Sequence, residues 1–326
     1  MAAQKTPGFW RADMLGKTAG GLYWMFRNLE RAGNTARLIE AGFRIALTRS
    51  KDPESEWKSV IVTSASQSAY TAKHSGYDSA RVTDFLLRDP DNPNSVLSVI
   101  KGARDNARLV RTALTTEVWM AVNETWMVLT QALKDPVPET DLPEVLSLIR
   151  QQSALVRGAL HGTMLRNDIY DFCRLGNFTE RMDSTARIID VKYHALLPAT
   201  SFVGSRMDNV QWEMILRSVS AHASFRWAVE GEYNAPNIAS FLILDRRLPR
   251  SLAFCASQIV DHLSYLAEEY RDRPKSLDLA QDLNARLKNR DISSIFDEGL
   301  HEFLNAVIRD NNTLGRQIEH DYRFNA

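Results

Sequence analysis

The 326-residue chain is 44% hydrophobic and 25% charged, which supports a sizeable folded core and excludes a disordered or fibrous protein. Its 40 basic and 40 acidic residues cancel, which argues against nucleic-acid binding through bulk charge. No apolar run approaches the roughly 20 residues of a bilayer-spanning helix, so no membrane association is expected. Arginine outnumbers lysine 30 to 10, from GC-rich coding or from guanidinium groups held in fixed bidentate pairs that lysine cannot replace.

Residues 1–13 lack the apolar centre of a signal peptide and read as a short disordered lead-in. Met14–Phe43 then carries a helical pattern, with a helix expected from about Lys17 to Arg49. Leu22, Met25, Leu29, Ala32, Ala36, Ile39 and Phe43 share one face at 100° per residue. The opposite arc carries Arg27, Glu30, Arg31, Asn34 and Arg37, but also Tyr23, Leu38 and Ile45, so it is not expected to face open water. The Gly20-Gly21 pair costs up to ~1 kcal/mol per glycine unless close packing requires it.

Asp52-Pro53-Glu54 reads as an N-cap with proline at the first helical position. Helices are expected at Trp57 to about Lys73 and at Ser79–Leu87, followed by a proline turn in FLLRDPDNPNSV (Phe85–Val96). Ser95 is placed to open the next helix, Val96–Arg111, and Ala113–Leu133 follows. Asp135-Pro136-Val137-Pro138 is the clearest break. Beyond it lie Leu142–Gly158, Gly162–Leu175, Asp208–Glu230, Pro236–Leu244, Arg250–Arg271, Ser276–Lys288 and Ile292–Arg323, all read as helical. No segment alternates with the period of a strand, so the fold class is all-α.

The opening pattern returns. Shifted by 150 residues without a gap, Met14-Leu15 falls on Met164-Leu165, Glu30-Arg31 on Glu180-Arg181, and Thr35-Ala36-Arg37 on Thr185-Ala186-Arg187. The proline turn returns as FLILDRRLPRSL (Phe241–Leu252) at an offset of 156, with Ser251 as the helix opener. We therefore expect a helical bundle of two tandem-duplicated halves, about 14–135 and 141–326, sharing one core.

Arg27, Glu30, Asn34 and Arg37 span about a quarter of the helix circumference, and Asn177, Glu180, Ser184 and Arg187 take the same places in the second copy. Three readings stay open: a buried Glu–Arg network at the repeat interface, a pocket for a carboxylate or phosphate, or catalysis with Glu30 or Glu180 as acid/base. The anion-binding or interface candidates are Arg27, Glu30, Arg31, Asn34, Arg37, Glu180, Arg181 and Arg187.

Other signals are weaker. Asp168 and Asp171 hint at Mg²⁺–diphosphate chemistry but read more simply as a helix-surface pair. The scattered histidines form no Glu-x-x-His pairs, and Cys173 and Cys255 lack a CxxC partner, so no metal site and no disulfide is expected. Free thiols fit a reducing cytoplasm. With no P-loop, dinucleotide fingerprint or nucleophile elbow, no cofactor is expected. Trp119, Met120, Trp126, Trp212 and Trp227 are assigned to the core.

MLGKTAGGLYWMFRNLERAGNTARLIE, CRLGNFTERMDSTARIID, FLILDRRLPRS and RDNARLVRTALTTEVWMAVNE (Arg104–Glu124) together resemble the bacterial alpha-E family, a domain of unknown function with a Glu-Arg motif. The resemblance runs from Met14 to the C-terminus. Phe26 departs from the glycine of the family pattern that Gly176 keeps, and is expected to widen the packing of the first helix. The resemblance implies an all-helical cytoplasmic bacterial protein. It further implies a gene neighbourhood with a circularly permuted ATP-grasp ligase and a transglutaminase-like cysteine peptidase. From it follows the expected role of accessory or substrate-presenting partner in peptide synthesis or modification. The alternatives are a transferase or ligase acting on a small carboxylate substrate, and a structural scaffold.

Overall fold

The computed structural model describes residues 13–47, 53–196 and 206–325, with side chains placed for 16–47, 54–191 and 208–325. In chain order come α1 (Asp13–Ala46), α2 (Pro53–Thr63), α3 (Gln67–Thr71), α4 (Ser79–Leu87), α5 (Val96–Leu109), α6 (Thr116–Ala132) and α7 (Leu142–Thr163). They are followed by α8 (Asp168–Leu196), α9 (Arg206–Ser218), α10 (His222–Ala228), α11 (Ala235–Leu244), α12 (Leu252–Tyr270), α13 (Lys275–Lys288), α14 (Ile292–Glu298) and α15 (Leu300–Asp321). Among the described residues there is no strand, and no helix is long and apolar enough to cross a membrane.

The two longest helices, α1 with 34 residues and α8 with 29, make the most extensive helix–helix contact of the molecule. Helices α5 and α7 flank α1, and α6 bridges them; α12 and α15 flank α8, and α13 bridges them. Helices α2 and α9 each lie across both long helices. One hydrophobic cluster runs from Ala19 to Phe324 and draws side chains from every helix, so the bundle has a single core.

Most of each long helix is buried. Leu22, Met25, Leu29, Ala32, Ala36 and Ile39 are buried on the apolar face of α1, and Tyr23, Leu38 and Ile45 are buried on its polar arc. A polar side chain on such a helix must therefore find its partners inside the protein. Close backbone approach is secured by glycine: a β-carbon at Gly176 of α8 would stand 2.1 Å from the Tyr23 carbonyl oxygen of α1, and one at Gly21 would stand 2.4 Å from Val110. Phe26 is itself buried.

Helix starts follow the local signals. The Ser95 hydroxyl accepts from Ser98 N (3.3 Å) ahead of α5, and Ser251 accepts from Phe254 N (3.0 Å) ahead of α12. Helix α2 begins at Pro53 as expected; its Asp52 cap, most of the lead-in and the Arg49 end of the first helix lie outside the described residues.

Several expected helices are divided differently. The stretch from Trp57 to Lys73 is broken after Thr63, and Asp208–Glu230 is broken after Ser218. Each break is a left-handed residue with a β-carbon, Ala65 (φ 57°) or Ser220 (φ 58°). The caps close by Ser66 N donating to Ile61 O (3.4 Å) and Ala221 N donating to Leu216 O (2.8 Å). Glycine usually fills such positions, so periodicity alone misses them. Ile292–Arg323 is split at Gly299 (φ 102°). By contrast α7 runs unbroken through Gly158 and Gly162 to Thr163.

Of the aromatic and methionine side chains assigned to the core, Trp212 is buried and Trp119 and Trp126 are half-buried; Met120 (62%) and Trp227 (80%) are exposed. Asp168 and Asp171 are not a surface pair: Asp168 accepts from the Tyr270 hydroxyl (2.8 Å) and the buried Asp171 pairs with His262.

Candidate functional site: two exchanged Glu–Arg pairs

Adjacent residues on a helix diverge by about 100°, so Glu30 and Arg31 cannot pair with each other, nor Glu180 with Arg181. Where α1 and α8 meet, the two dipeptides exchange partners. Arg31 of α1 donates from Nε (2.6 Å) and Nη2 (2.9 Å) to Glu180 of α8. Arg181 of α8 donates from Nε (3.0 Å) and Nη2 (3.1 Å) to Glu30 of α1. Both are two-bond forks, the geometry for which arginine is suited and lysine is not.

Each glutamate then gathers further donors. Glu30, only 1% exposed, also accepts from Arg157 Nη1 of α7 (3.1 Å), Asn177 Nδ2 of α8 (2.6 Å) and Arg250 Nη2 of the turn before α12 (2.9 Å). Glu180 also accepts from Arg27 Nε (3.0 Å), whose guanidinium lies 4.9 Å from the Trp24 ring centroid. The remaining Nη1 of Arg31 donates to Asn94 Oδ1 (2.9 Å), which the first proline turn delivers, as the second delivers Arg250.

Burial pushes both carboxyl pKa values up, but the guanidiniums outweigh it. Arg181, Arg250 and Arg157 hold Glu30 well below the ordinary carboxylate range, and Arg31 and Arg27 lower Glu180. A carboxylate so stabilised is a weak proton acceptor, and three or more N–H groups already occupy each one. The geometry therefore argues against Glu30 or Glu180 as the acid/base group of an enzyme.

The other candidates divide. Asn34 Oδ1 accepts from Arg250 Nη1 (3.0 Å), which ties it to the Glu30 cluster. Arg187 donates from Nε (2.7 Å) and Nη2 (3.3 Å) to Asp183, one turn earlier on α8. The position corresponding to Asp183 on α1 is Gly33, so Arg37 has no such acid. Arg37 is 8% exposed, and its Nη1 donates to Ser218 O (3.1 Å) and Ser220 Oγ (2.7 Å), both neutral. Its Nε has no acceptor among the described residues. Burial, then the nearby Arg250, with Arg150 and Arg157 adding to it, drives its pKa down against the pull of Glu30.

Arg157, Arg250 and Asn94 were missed by sequence reasoning. Arg250 and Asn94 occupy matching places in the two proline turns, immediately before Ser251 and Ser95, and that coincidence was the available signal. Arg157 offered none. The arginine surplus is also explained in part: Arg27, Arg37, Arg181 and Arg250 are buried, whereas every lysine among the described side chains is exposed.

On the Glu180 side a cavity of about 200 Å³ opens between α1, α8 and the end of α2. Arg27, Arg31, Asn34, Thr63, Glu180 and Arg187 are among its lining residues.

Uncharacterized proteins of Mycobacterium bovis and Mycobacterium tuberculosis are similar to this chain, each 24% identical over 318 residues that cover 88% of this chain and 34% of the relative. The chain thus spans about a third of the length of the curated relatives it matches, 34%. No solved structure matches. The profile of the Alpha-E family, a predicted alpha-helical domain with a conserved ER motif, matches residues 14–322, and the chain belongs to that family.

Proposed function

We propose that this protein is a non-catalytic binding module that presents a carboxylate-bearing substrate to a partner, which we take to be an ATP-grasp-type amide ligase. The observation that supports it most is the unbalanced guanidinium of Arg37, which is buried against neutral acceptors beside Arg250, Arg150 and Arg157. A buried cation without a counter-ion is costly, and an anionic ligand or partner would neutralise it. The clamped state of Glu30 and Glu180 favours binding over proton transfer. In the mycobacterial relatives the matching region is one part of a longer polypeptide, as suits a domain that works alongside others. A transglutaminase-like partner and a cytoplasmic location, in keeping with two unpaired cysteines, complete this reading.

We further propose that the bundle arose by tandem duplication, with the second copy beginning at Met164 rather than 141. Three observations support this boundary: the recurring helix order, the matching left-handed caps at Ala65 and Ser220, and a shared interhelical contact. In that contact Ser153 Oγ of α7 donates to Leu29 O (3.2 Å), and Asn311 Nδ2 of α15 donates to Thr179 O (2.9 Å), where 29 and 179 are equivalent positions.

The test is affinity capture of the tagged protein from native lysate with mass spectrometry, for wild type and for the Arg37→Ala/Arg187→Ala variant. Recovery of an ATP-grasp ligase by wild type alone is the expected result. Recovery by both would remove the arginines from the interaction, and recovery by neither would remove the ligase.

A further inference from the structure

We infer that the cavity beside Glu180 is a binding site for the carboxylate of a single amino-acid unit, either a free amino acid or the last residue of a peptide. This inference rests on the reading of the arginines as ligand-holding groups, and it assigns that role to a definite place. At about 200 Å³ the cavity is smaller than the roughly 300–1,000 Å³ of drug-sized pockets, which suits a single small residue.

Its chemistry selects for an acceptor. Asn34 (4% exposed) and Thr63 (5%) both line it, and the Asn34 Nδ2 and Thr63 Oγ1 atoms are buried without a partner among the described residues. Buried polar atoms are rarely left unpaired, so two of them among the lining residues mark a place short of hydrogen-bond partners. Glu180 is already filled by Arg27 and Arg31, and both Asp183 oxygens face Arg187. On the Glu30 side, the Ser220 hydroxyl at the α9 cap accepts from Arg37 Nη1. At the matching α2 cap stands Ala65, which lines the cavity and has no hydroxyl to offer Arg187.

Charge decides between carboxylate and phosphate. Three guanidiniums (Arg27, Arg31, Arg187) against two carboxylates (Glu180, Asp183) leave one positive charge in the lining, which a monoanion balances and a phosphate dianion overshoots. Thr35, Ser64, Ser66 and Ser184 also line the cavity, and their hydroxyl oxygens suit the amide or ammonium end of the same ligand.

The test uses the whole protein and four probes: N-acetylglycine, its neutral amide, glycine, and inorganic phosphate, each followed by saturation-transfer NMR and calorimetry. N-acetylglycine should bind and its amide should not. Glycine binding as well supports a free amino acid; N-acetylglycine alone supports a peptide terminus. Arg187→Gln should weaken binding about tenfold or more. Thr63→Val should weaken it while thermal stability holds or rises, since it removes an unsatisfied buried hydroxyl. Arg217→Gln, which alters an exposed pair with Glu213 outside the cavity, should change nothing. The inference is overturned by equal binding of the amide, by phosphate binding without N-acetylglycine, or by unchanged affinity in both cavity variants. If N-acetylglycine does not bind but the ligase is still captured through the arginines, this site falls and the accessory role stands.

Discussion

The Glu30 and Glu180 clusters share a motif and a helix contact but are built differently. Glu30 is a hub: its donors come from α7, α8 and the turn before α12, so one carboxylate ties three separate parts of the chain to α1. Glu180 takes all three of its donors from α1. The adjoining arginines differ in the same sense, since Arg187 has Asp183 beside it and Arg37 has only Ser218 and Ser220. Position 33 carries no side chain where 183 carries an acid. One side has therefore become an orienting lock with an unbalanced guanidinium, and the other has kept an open, nearly balanced cavity.

The largest expected effect is at Glu30. Glu30→Gln leaves Arg157, Arg181 and Arg250 without their carboxylate and should destabilise the protein by about 3–5 kcal/mol in urea unfolding. Glu180→Gln, with a half-exposed Arg31 and an open cavity beside it, should cost on the order of 2 kcal/mol. Equal losses would erase the contrast between hub and pair.

Acid should reveal the same linkage. Both glutamates have folded pKa values below the unfolded value of about 4.3. Their stabilisation is complete above that pH and is lost as pH falls towards the folded values. The stability gap between wild type and Glu30→Gln should therefore narrow on acidification below about pH 4; a gap constant from pH 7 to 3 would contradict the ion-pair account.

Arg37 offers a sharper comparison. Arg37→Met should be neutral or stabilising, because a buried charge without a counter-ion gives way to apolar volume. Arg181→Met should be strongly destabilising. A loss above about 2 kcal/mol for Arg37→Met would make Arg37 a structural member of the lock rather than a ligand group. Arg187→Ala, a half-buried pair one turn apart on α8, should shift stability by only about 0.5 kcal/mol.

The smallest effect reads the field around Glu30. Partial desolvation of the ring, then Arg174, Arg166, Arg157 and Arg181, lowers His161 to about 4, so its ring is neutral at pH 7. The unfolded chain binds that proton first, so acidification from ~6.5 towards 4 favours unfolding at this group. NMR titration of the ring should give a midpoint near 4, and Arg157→Gln should raise it. A midpoint near ~6.5 would show that the arginine field does not reach it.

Much of this was legible before the fold was known. The apolar stripe of α1, the helix openers Ser95 and Ser251 and the recurring Glu-Arg dipeptides followed from residue spacing and side-chain chemistry, with a buried Glu–Arg network as one of three open readings. The left-handed breaks at Ala65 and Ser220 did not, because an alanine or serine in that conformation leaves no mark in periodicity. Nor did the exposure of Met120 and Trp227, since residue type alone does not reveal which helix covers a face.

The sequence by itself determined the all-helical class, the serine caps ahead of α5 and α12 and the face on which Glu30, Arg31, Glu180 and Arg181 project, because these depend on the 100° step and on groups within a turn of one another. Only the tertiary structure decided which guanidinium reached which carboxylate. Arg157 and Arg250 come to Glu30 from 127 and 220 residues away, and no local rule encodes a contact over that span. It arises because two largely buried helices had to satisfy their charges against each other.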